Sequence, residues 1–322
     1  MAIKSSGSSL SFTEIEAEFG QNGSRSLGAY RLNQNIGSLS NLPLDSGIPT
    51  SGQIKFSDFY SKRLNVVVNC HSGGEETRKS AKNDKWNNND LTVVGGFRSK
   101  KEGGSKIIIN VNKKFCSDKS NTSHCALKTG SWDSTATVQV DVGSSGRILG
   151  SGGDGGRGQN GIDGSAQAGF TGTSGLGVEV NNCTVNVQSG GIIRAGFGGG
   201  GGGGGGRQVD KGQDRRASGG GGGGGAGCPA GSGGPRGTTG SLGSNGSAGT
   251  ETTGGGGGGG GNNENQAFGG SGGDGGQAQG GPGGGSGGAG ANGAAIRRNS
   301  GFTVNINNSG TISGSTSATG VG

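Results

Sequence analysis

The sequence predicts a mainly β and irregular fold in three parts. These are a small helical N-terminal module at residues 1–63, a β-rich domain at 64–149, and a polyglycine-II helix bundle anchored on β rungs at 150–322. Three observations predict this organisation. Of the 85 glycines among 322 residues, 16 lie in residues 1–149 and 69 follow. β-branched runs precede the change in composition, and Gly recurs at every third position after it.

The composition limits the ways in which this chain can fold. Only 26% of the residues are apolar and 4% are aromatic, which excludes a large conventional core for most of the chain. The charged share of 15% is too low for a typical charge-rich disordered protein. A flexible linker and a collagen-like triple helix are the alternatives to an ordered bundle. Collagen needs about 15–20% Pro, whereas this chain has 5 prolines.

Several functional classes lack support in the sequence. No apolar run approaches the ~18 residues of a membrane-spanning helix, and the N-terminus lacks the apolar core of a secretory signal. We therefore expect that the chain is synthesised in a cytoplasm and does not insert into a membrane. The net charge is +7, but no Arg-rich stripe alternates with aromatic residues, so we expect no nucleic-acid binding. No catalytic triad or carboxylate pair stands out, and we predict neither an enzyme nor a cofactor.

The N-terminal module contains most of the conventional amphipathic signal. Residues 11–14 fit a capping box, in which Ser11 and Glu14 satisfy each other's backbone amides. Short helices are also predicted near residues 26–32 and 56–60. So few apolar anchors bury little surface, which predicts either a cap on the next domain or an attachment module. The candidate attachment side chains are Ile15, Phe19, Leu27, Tyr30, Ile54, Phe56, Phe59 and Tyr60.

The β-rich domain is predicted from four β-branched runs, at residues 64–68, 91–94, 106–111 and 136–142. Cysteine and histidine are dense here, as Cys70-His71, Cys116 and His124-Cys125. A zinc site, a Cys116–Cys125 disulfide and ordinary free side chains are the three alternatives. The ligand spacings typical of structural zinc are absent, so no metal site is predicted. An odd total of 5 Cys excludes complete intrachain pairing.

Three segments, beginning at Thr137, Thr184 and Thr303, share one pattern. Each has alternating apolar residues, a Gly-containing turn and a second short apolar strand. Such segments are typical of hairpins or of solenoid rungs. They predict a β base on which the Gly-rich excursions are anchored.

The excursions have the period of a polyglycine-II helix, which has three residues per turn. Series of Gly at every third position run through residues 152–164, 231–249 and 269–293, with Ala278 as the exception in the last. The continuous tracts at 198–206, 219–225 and 254–261 fit interior helices, which need Gly on more than one edge. Asp154 and Asp274 lie in Gly-Asp-Gly sequences and Asp163 lies in Gly-Ile-Asp-Gly. These settings resemble calcium-binding repeats, but the complete repeat does not recur.

Polar inserts between the tracts are the candidate recognition loops. At ~3.1 Å per residue, residues 231–249 would span roughly 59 Å, so they should fold back once near Thr238-Thr239. This places loops 207–218 and 262–268 at the same end, the predicted receptor tip. The basic side chains of loop 207–218 could bind an acidic glycan or phosphate. The polar and aromatic side chains of loop 262–268 could bind sugar hydroxyls and the face of a sugar ring. The candidates are Arg207, Gln208, Asp210, Lys211, Arg215, Arg216, Asn262, Asn263, Glu264, Asn265, Gln266 and Phe268.

Two resemblances follow from these motifs. The series at residues 11–20, 26–30 and 48–60 resembles an N-terminal module of tail-fibre and structural proteins of tailed phages, with marine T4-like phages as the nearest group. The alternation of Gly tracts and complex inserts in residues 150–322 resembles the distal tail-fibre adhesins of T-even-type phages. In that family the tracts form a polyglycine-II sandwich, and the loops at its tip bind host receptors.

The resemblance implies a phage virion adhesin, made in the host cytoplasm and located in the tail or tail fibre. Its implied partners are other phage tail or fibre proteins and a bacterial outer-surface protein or glycan. The oligomeric state does not follow from the sequence, and association with a trimeric partner is left open. The main alternative is a purely structural virion protein, such as a fibre spacer or decoration. An ice-binding protein is a further rival, but the non-Gly positions are irregular and charged.

Overall fold

The computed structural model describes residues 3–19, 26–31, 47–70, 75–81, 106–119, 121–210, 212–263, 267–276 and 287–322. Within these residues the chain is rich in β-strands and contains one α-helix, α1 (Phe12–Phe19), and two short 3-10 helices, Leu27–Tyr30 and Phe56–Phe59. The mainly β fold class is therefore confirmed. The predicted strand at residues 91–94 lies outside the described residues.

Three parallel sheets of five strands each form the centre of the fold. The first sheet contains β1 (Val66–Cys70), β4 (Lys106–Val111), β7 (Thr137–Val142), β10 (Cys183–Val187) and β17 (Val304–Asn308). The second contains β2 (Glu76–Thr77), β5 (Lys114–Cys116), β8 (Arg147–Leu149), β11 (Ile192–Arg194) and β18 (Thr311–Ser313). The third contains β3 (Lys79–Ser80), β6 (Cys125–Lys128), β9 (Ser174–Val178), β16 (Ile296–Arg298) and β19 (Ala318–Thr319).

The chain visits the three sheets in turn and repeats this circuit, which makes a three-sided parallel β-solenoid of five coils. Burial alternates along β4 and β7, so every second side chain faces the shared core. The predicted repeats are therefore solenoid rungs rather than hairpins. The sequence repeats align Thr184 with Thr137 and Thr303, but in the sheet Thr184 lies opposite Gln139 and Asn305. The observed register is therefore shifted by two residues. An even shift leaves the same side chains facing inward.

The Gly-rich region is inserted into this solenoid. One excursion separates β8 from β9 in the third coil, and a longer one separates β11 from β16 in the fourth. The longer excursion contains two hairpins, β12 (Gly206–Asp210) with β13 (Gln213–Ala217), and β14 (Asn262–Asn263) with β15 (Ala267–Phe268). Strands on both sides of Gly150 belong to one solenoid, so the division at 149/150 is a change of composition within one structural unit.

The N-terminal module caps the first coil. Ser11 and Glu14 form the predicted capping box, with Glu14 N–H 3.3 Å from Ser11 Oγ and Ser11 N–H 2.8 Å from Glu14 Oε2. The candidate attachment residues Ile15, Phe19 and Tyr30 are fully buried, as is Phe59. All four belong to the apolar cluster that continues through the solenoid. They therefore build the cap, and a partner would meet other, exposed parts of the module.

The remaining attachment candidates are less buried. Leu27 and Ile54 pack partly buried against the same cluster. Phe56 is 36% exposed, with its ring edge-on to Phe12. The Tyr60 hydroxyl donates a hydrogen bond to the Ser8 carbonyl oxygen. An attachment role for the module stays a prediction.

The Gly-rich excursions form a bundle of extended segments joined sideways by backbone hydrogen bonds. Residues 218–228, the central segment, show the pattern most fully. Gly222 N–H donates to the Gly156 carbonyl oxygen, and the Gly222 carbonyl oxygen accepts from Gly234 N–H. Each of the next two residues forms backbone hydrogen bonds to two further segments, and all these bonds are 2.7–2.9 Å long. The six neighbouring segments are residues 150–159, 195–205, 229–237, 241–250, 254–261 and 269–276. This threefold period supports the polyglycine-II assignment, which stays a prediction.

The three continuous Gly tracts differ in their surroundings. Residues 219–225 are buried throughout, and residues 198–203 are buried as well. The tract at 254–261, predicted to be interior, lies at the surface, because Gly256 and Gly259 are exposed. A Cβ atom added at Gly256 would meet only Asp274 Oδ1, at 3.8 Å. Continuous Gly is therefore a necessary feature of an interior segment but does not identify one.

A disulfide joins the bundle to the solenoid. Cys116 at the end of β5 bonds to Cys228 at the end of the central segment. The alternative pairing of Cys116 with Cys125 is wrong, because Cys125 begins β6 on a different side of the solenoid. Cys228 is placed beside β5 because its N–H donates to Gly150, which directly follows β8.

An ionic cluster lies at the same junction. Glu251, in the turn of the bundle nearest the solenoid, contacts Lys114 at 2.9 Å, Arg147 at 3.2 Å and Arg194 at 3.5 Å. All three cations come from the second sheet. Burial raises the pKa of Glu251, but hydrogen bonding to Lys114 and the three positive charges outweigh it, so the net pKa lies below 4.5. Arg194 is 5% exposed, so Glu251 compensates a positive charge that is largely removed from water.

We expect Glu251→Gln to lower the stability at neutral pH by about 1–3 kcal/mol, because it leaves the buried Arg194 without its anion. A carboxyl group whose pKa is lowered by folding stabilises the fold at pH values above its unfolded pKa. This stabilisation is lost as the pH falls through the folded pKa. The difference from the wild type should therefore be complete at pH 7 and shrink below about pH 4.5. Thermal unfolding at pH 7, 5 and 3 measures it. Glu75→Gln is the control, since Glu75 also contacts Lys114 but is 48% exposed.

Candidate functional site

The end of the bundle away from the solenoid gathers four turns, which we call the tip. Residues 150–159 run outward from β8, so the turn at 160–164 lies at the far end. Gly246 N–H donates to Gly234 O, which shows that the chain folds back between them, with a turn at 238–242 as the length argument predicts. The hairpins β12–β13 and β14–β15 contact each other beside these turns. The tip is therefore residues 160–164, 206–210, 212–217, 238–242, 262–263 and 267–268.

Ion pairs lie within the larger hairpin and join it to the first turn. Arg207 lies opposite Arg216 in the strand pair, and Asp214 bonds to both, at 2.8 Å and 2.9 Å. Arg216 also contacts Asp163 in the first turn at 3.0 Å. The pKa of Asp214 lies below its usual range because Arg216, and then Arg207, donates hydrogen bonds to the carboxylate.

These pairs change what the predicted basic loop can offer a ligand. Arg207 and Arg216 are neutralised by aspartates of the same surface, and the Arg215 guanidinium donates to Gln213 Oε1 at 3.3 Å. The geometry gives Arg207 and Arg216 a positioning role in the loop. The hydrogen bond to the neutral Gln213 side chain leaves Arg215 charged, so an acidic glycan or phosphate partner stays a prediction.

Exposed apolar side chains are concentrated at the tip. Among the described residues, four of the six exposed large hydrophobic side chains lie there. They are Ile162 at 39%, Val209 at 58%, Leu242 at 49% and Phe268 at 68% exposure. The other two are Phe56 in the cap and Phe170 on the flank of the bundle. Each of the four turns contributes one of the tip residues, so the apolar surface exists only in the folded bundle.

The predicted receptor residues are only partly described. Arg207, Asn262 and Phe268 are exposed on the two hairpins. Gln208 and Asp210 lie on β12, and Asn263 lies on β14. The remaining predictions, Lys211, Glu264, Asn265 and Gln266, lie outside the described residues.

Sequence reasoning missed Ile162, Val209 and Leu242. A usable signal was present, because Ile162 and Leu242 are isolated large apolar residues among Gly and small polar ones. Val209 lies in the 207–218 insert, whose charged residues are the basis for predicting a recognition loop. None of the three could be assigned to one surface before the course of the chain was known.

Of the three alternatives for the Cys and His residues, free side chains agree with Cys70 and Cys125. Cys70, Cys125 and Cys183 are free and buried, and burial raises the pKa of Cys125 and of Cys183 to about 12. His124 Nδ1 lies 2.7 Å from Asp118 Oδ1, while His71 lies outside the described residues. Within the described part of the chain, the group with metal-ligand spacing is Glu75 with Cys116 and Cys228. The disulfide occupies both sulfurs.

The three aspartates in settings that resemble calcium-binding repeats also have separate structural partners. Asp154 accepts from Lys119 Nζ at 2.7 Å, and Asp274 accepts from the Gly257 N–H at 2.8 Å. Asp163 pairs with Arg216. In the part of the chain that the structure describes, no helix is both long enough and apolar enough to cross a bilayer.

The described residues form a three-sided solenoid that carries a Gly-rich bundle with an exposed tip. The family model described as phage tail fibre adhesin Gp38 matches residues 74–317. The chain therefore belongs to the Gp38 family of phage tail fibre adhesins, and its place is in the tail of the virion. The resemblance to T-even-type adhesins is confirmed at this level. The N-terminal module at residues 1–63 of the sequence precedes the matched region.

Comparison with solved structures gives one similar molecule, the gp37–gp38 adhesin tip complex of the bacteriophage S16 long tail fibre. The match has 22% sequence identity and a TM-score of 0.43, and it covers 98% of this chain and 99% of the other. No curated protein sequence matches this chain.

Proposed function

We propose that the tip binds a structure on the surface of the host bacterium by non-covalent contacts. The observation that carries this proposal is the gathering of Ile162, Val209, Leu242 and Phe268 at one end of a hydrogen-bonded bundle. Exposed apolar groups gathered in one place mark interaction sites. Loops on a rigid scaffold commonly carry binding residues.

The tip suits recognition because little of it has to be ordered on binding. The Arg216 side chain joins its hairpin to the first turn through Asp163. Its carbonyl oxygen accepts from Ser241 N–H in the third turn at 2.9 Å. A surface that is already ordered loses less conformational entropy when it binds. The polar candidates on the hairpins would surround the apolar centre.

We also propose that the chain is joined to another tail-fibre protein, since an adhesin acts in the virion only when attached to it. Family membership supports this. The S16 molecule is described as a complex of gp37 with gp38. A purely structural spacer would need the attachment but not the tip.

Shortening the large hairpin tests receptor binding. Residues 207–216 are replaced by a short Gly-Ser turn, and binding of the labelled full-length chain to host cells is measured. We expect binding to fall at least tenfold while the melting temperature stays near that of the wild type, because the hairpin lies outside the core. Wild-type binding by the shortened chain would favour the structural spacer.

A further inference from the structure

A small cavity lies on the side of the solenoid, at the corner where the chain passes from the third sheet to the first. Three successive corner loops line it: the loop between β6 and β7, the loop between β9 and β10, and the loop between β16 and β17. Its volume is about 260 Å³. This is below the range of about 300–1,000 Å³ that is typical of pockets for drug-sized ligands. An occupant of this cavity must therefore be a small group.

The walls of the cavity are largely apolar. Trp132 from the first of these loops and Phe302 from the third contribute aromatic rings, and Val180 lies in the loop between them. Trp132 is 8% exposed, and its indole N–H donates to the Thr129 carbonyl oxygen at 2.8 Å, so its polar edge is satisfied within the protein. Phe302 N–H donates to the Asn299 carbonyl oxygen at 3.1 Å. Both aromatic residues are therefore held in place before a ligand enters.

One carboxylate of the cavity is only loosely paired. The Glu179 side chain is 17% exposed, and in the part of the chain that the structure describes its carboxylate has one ion pair, with Lys128 Nζ at 3.6 Å. This distance is longer than the ~2.7–2.9 Å of a charged hydrogen bond. Among the described residues that line the cavity, none is basic. A negative charge that is largely withdrawn from water can therefore be compensated further by a cation in the cavity.

The other polar groups of the cavity narrow the kind of cation. Asp133 Oδ1 accepts a hydrogen bond from Thr135 N–H at 2.8 Å, and Asn181 Oδ1 accepts one from Thr303 N–H at 2.9 Å. A primary ammonium brings three N–H donors, and a buried donor without an acceptor is costly. A quaternary ammonium has no N–H donor and is attracted to the faces of aromatic rings within ~6 Å. The surroundings therefore favour a quaternary ammonium.

We propose that this cavity binds a small quaternary ammonium group, of the kind that choline carries. The charge of Glu179 attracts the ion, the rings of Trp132 and Phe302 contact its methyl groups, and the small volume excludes larger ligands. Lys128 is the protein's own cation, with which the ligand competes for Glu179. The cavity lies on the solenoid, away from the tip, so this site goes beyond the receptor binding proposed there.

Titration of the purified full-length chain with choline tests the proposal, with binding followed by saturation-transfer difference NMR. We expect saturable binding of choline and at least about tenfold weaker binding of the uncharged isostere 3,3-dimethyl-1-butanol, which lacks the cation–π attraction. Ethanolamine should also bind at least about tenfold more weakly, because its N–H donors lose water without gaining enough acceptors. Equal affinities for choline and the alcohol would overturn the proposal, and so would tighter binding of ethanolamine.

Two substitutions with opposite expected effects test the role of the carboxylate. Glu179→Gln keeps the shape and removes the charge, so the affinity for choline should fall about tenfold, whereas Lys128→Met removes the competing cation and should raise it about threefold. Glu75→Gln is the matched control, because Glu75 is an exposed carboxylate that pairs with Lys114 outside the cavity. Wild-type affinity in folded Glu179→Gln would overturn the proposal. If Glu179→Gln fails to fold by circular dichroism, Lys128→Met decides, and unchanged or weaker binding of choline by that variant overturns the proposal.

Discussion

Gly222→Ala is expected to destabilise the bundle by about 1–3 kcal/mol, the typical range for overpacking in a well-packed interior. An added methyl group at Gly222 would overlap the carbonyl of Gly200, which is backbone and cannot rotate away. The neighbouring segments cannot separate without breaking the hydrogen bonds from Gly222 to Gly156 and from Gly234 to Gly222. Because six segments surround this one, no direction is open for relief.

Gly256→Ala is the matched control for this substitution. It lies in a Gly tract of similar length, but its Cβ position is open to solvent. Ala at a compatible position restricts the unfolded chain, so a gain of about 0.4–1 kcal/mol is expected. Chemical unfolding followed by circular dichroism compares the two. Equal stability of the variants would contradict the close packing of the central segment.

Phe268→Ala is expected to weaken binding of the chain to host cells about 30-fold, corresponding to about 2 kcal/mol for a central aromatic contact. Phe268 is the most exposed large apolar side chain among the described residues, at 68%. It lies on the hairpin that contacts the larger one. Its loss should leave folding intact because its ring contributes little to the core.

Phe170→Ala provides the comparison, since Phe170 is 51% exposed but lies on the flank of the bundle. Its N–H donates to Asp154 O, midway between the tip and the solenoid. We expect wild-type binding for this variant, measured as the concentration dependence of labelled protein on host cells. Equal losses in the two variants would show that apolar exposure in general, rather than the tip, controls binding.

The glycine period of the bundle predicts which segments are ordered but not where each segment lies. Gly at every third position predicted ordered segments, and the hydrogen bonds of the central segment repeat with this period. The position of each segment in the bundle could not be predicted. Residues 219–225 and 254–261 have the same composition, yet one is interior and the other is at the surface. The difference arises from the order in which the segments pack.

The course of the chain at the candidate site was easier to predict than its ion pairs, and its role in receptor binding stays a prediction. The length of a three-residue-per-turn helix was enough to bring the two hairpins to one end. The charges of Arg207 and Arg216 suggested an anionic ligand, but Asp214 and Asp163 neutralise them across the strand pair and the neighbouring turn. Arg216 and Asp163 are 53 residues apart in the sequence. Their pairing depends on the folded course of the chain, so a count of the charges in the insert could not detect it.

The sequence by itself determined the β-rich class, the rung repeat, the Gly period and the resemblance to tail-fibre adhesins. Each depends on spacing along the chain, because strands alternate every two residues and the extended Gly segments repeat every three. Only the tertiary structure decided that the rungs form one solenoid on both sides of Gly150, that Cys116 pairs with Cys228, and that one end of the solenoid is capped. These features are contacts between distant segments, and local spacing carries no information about which segments become neighbours.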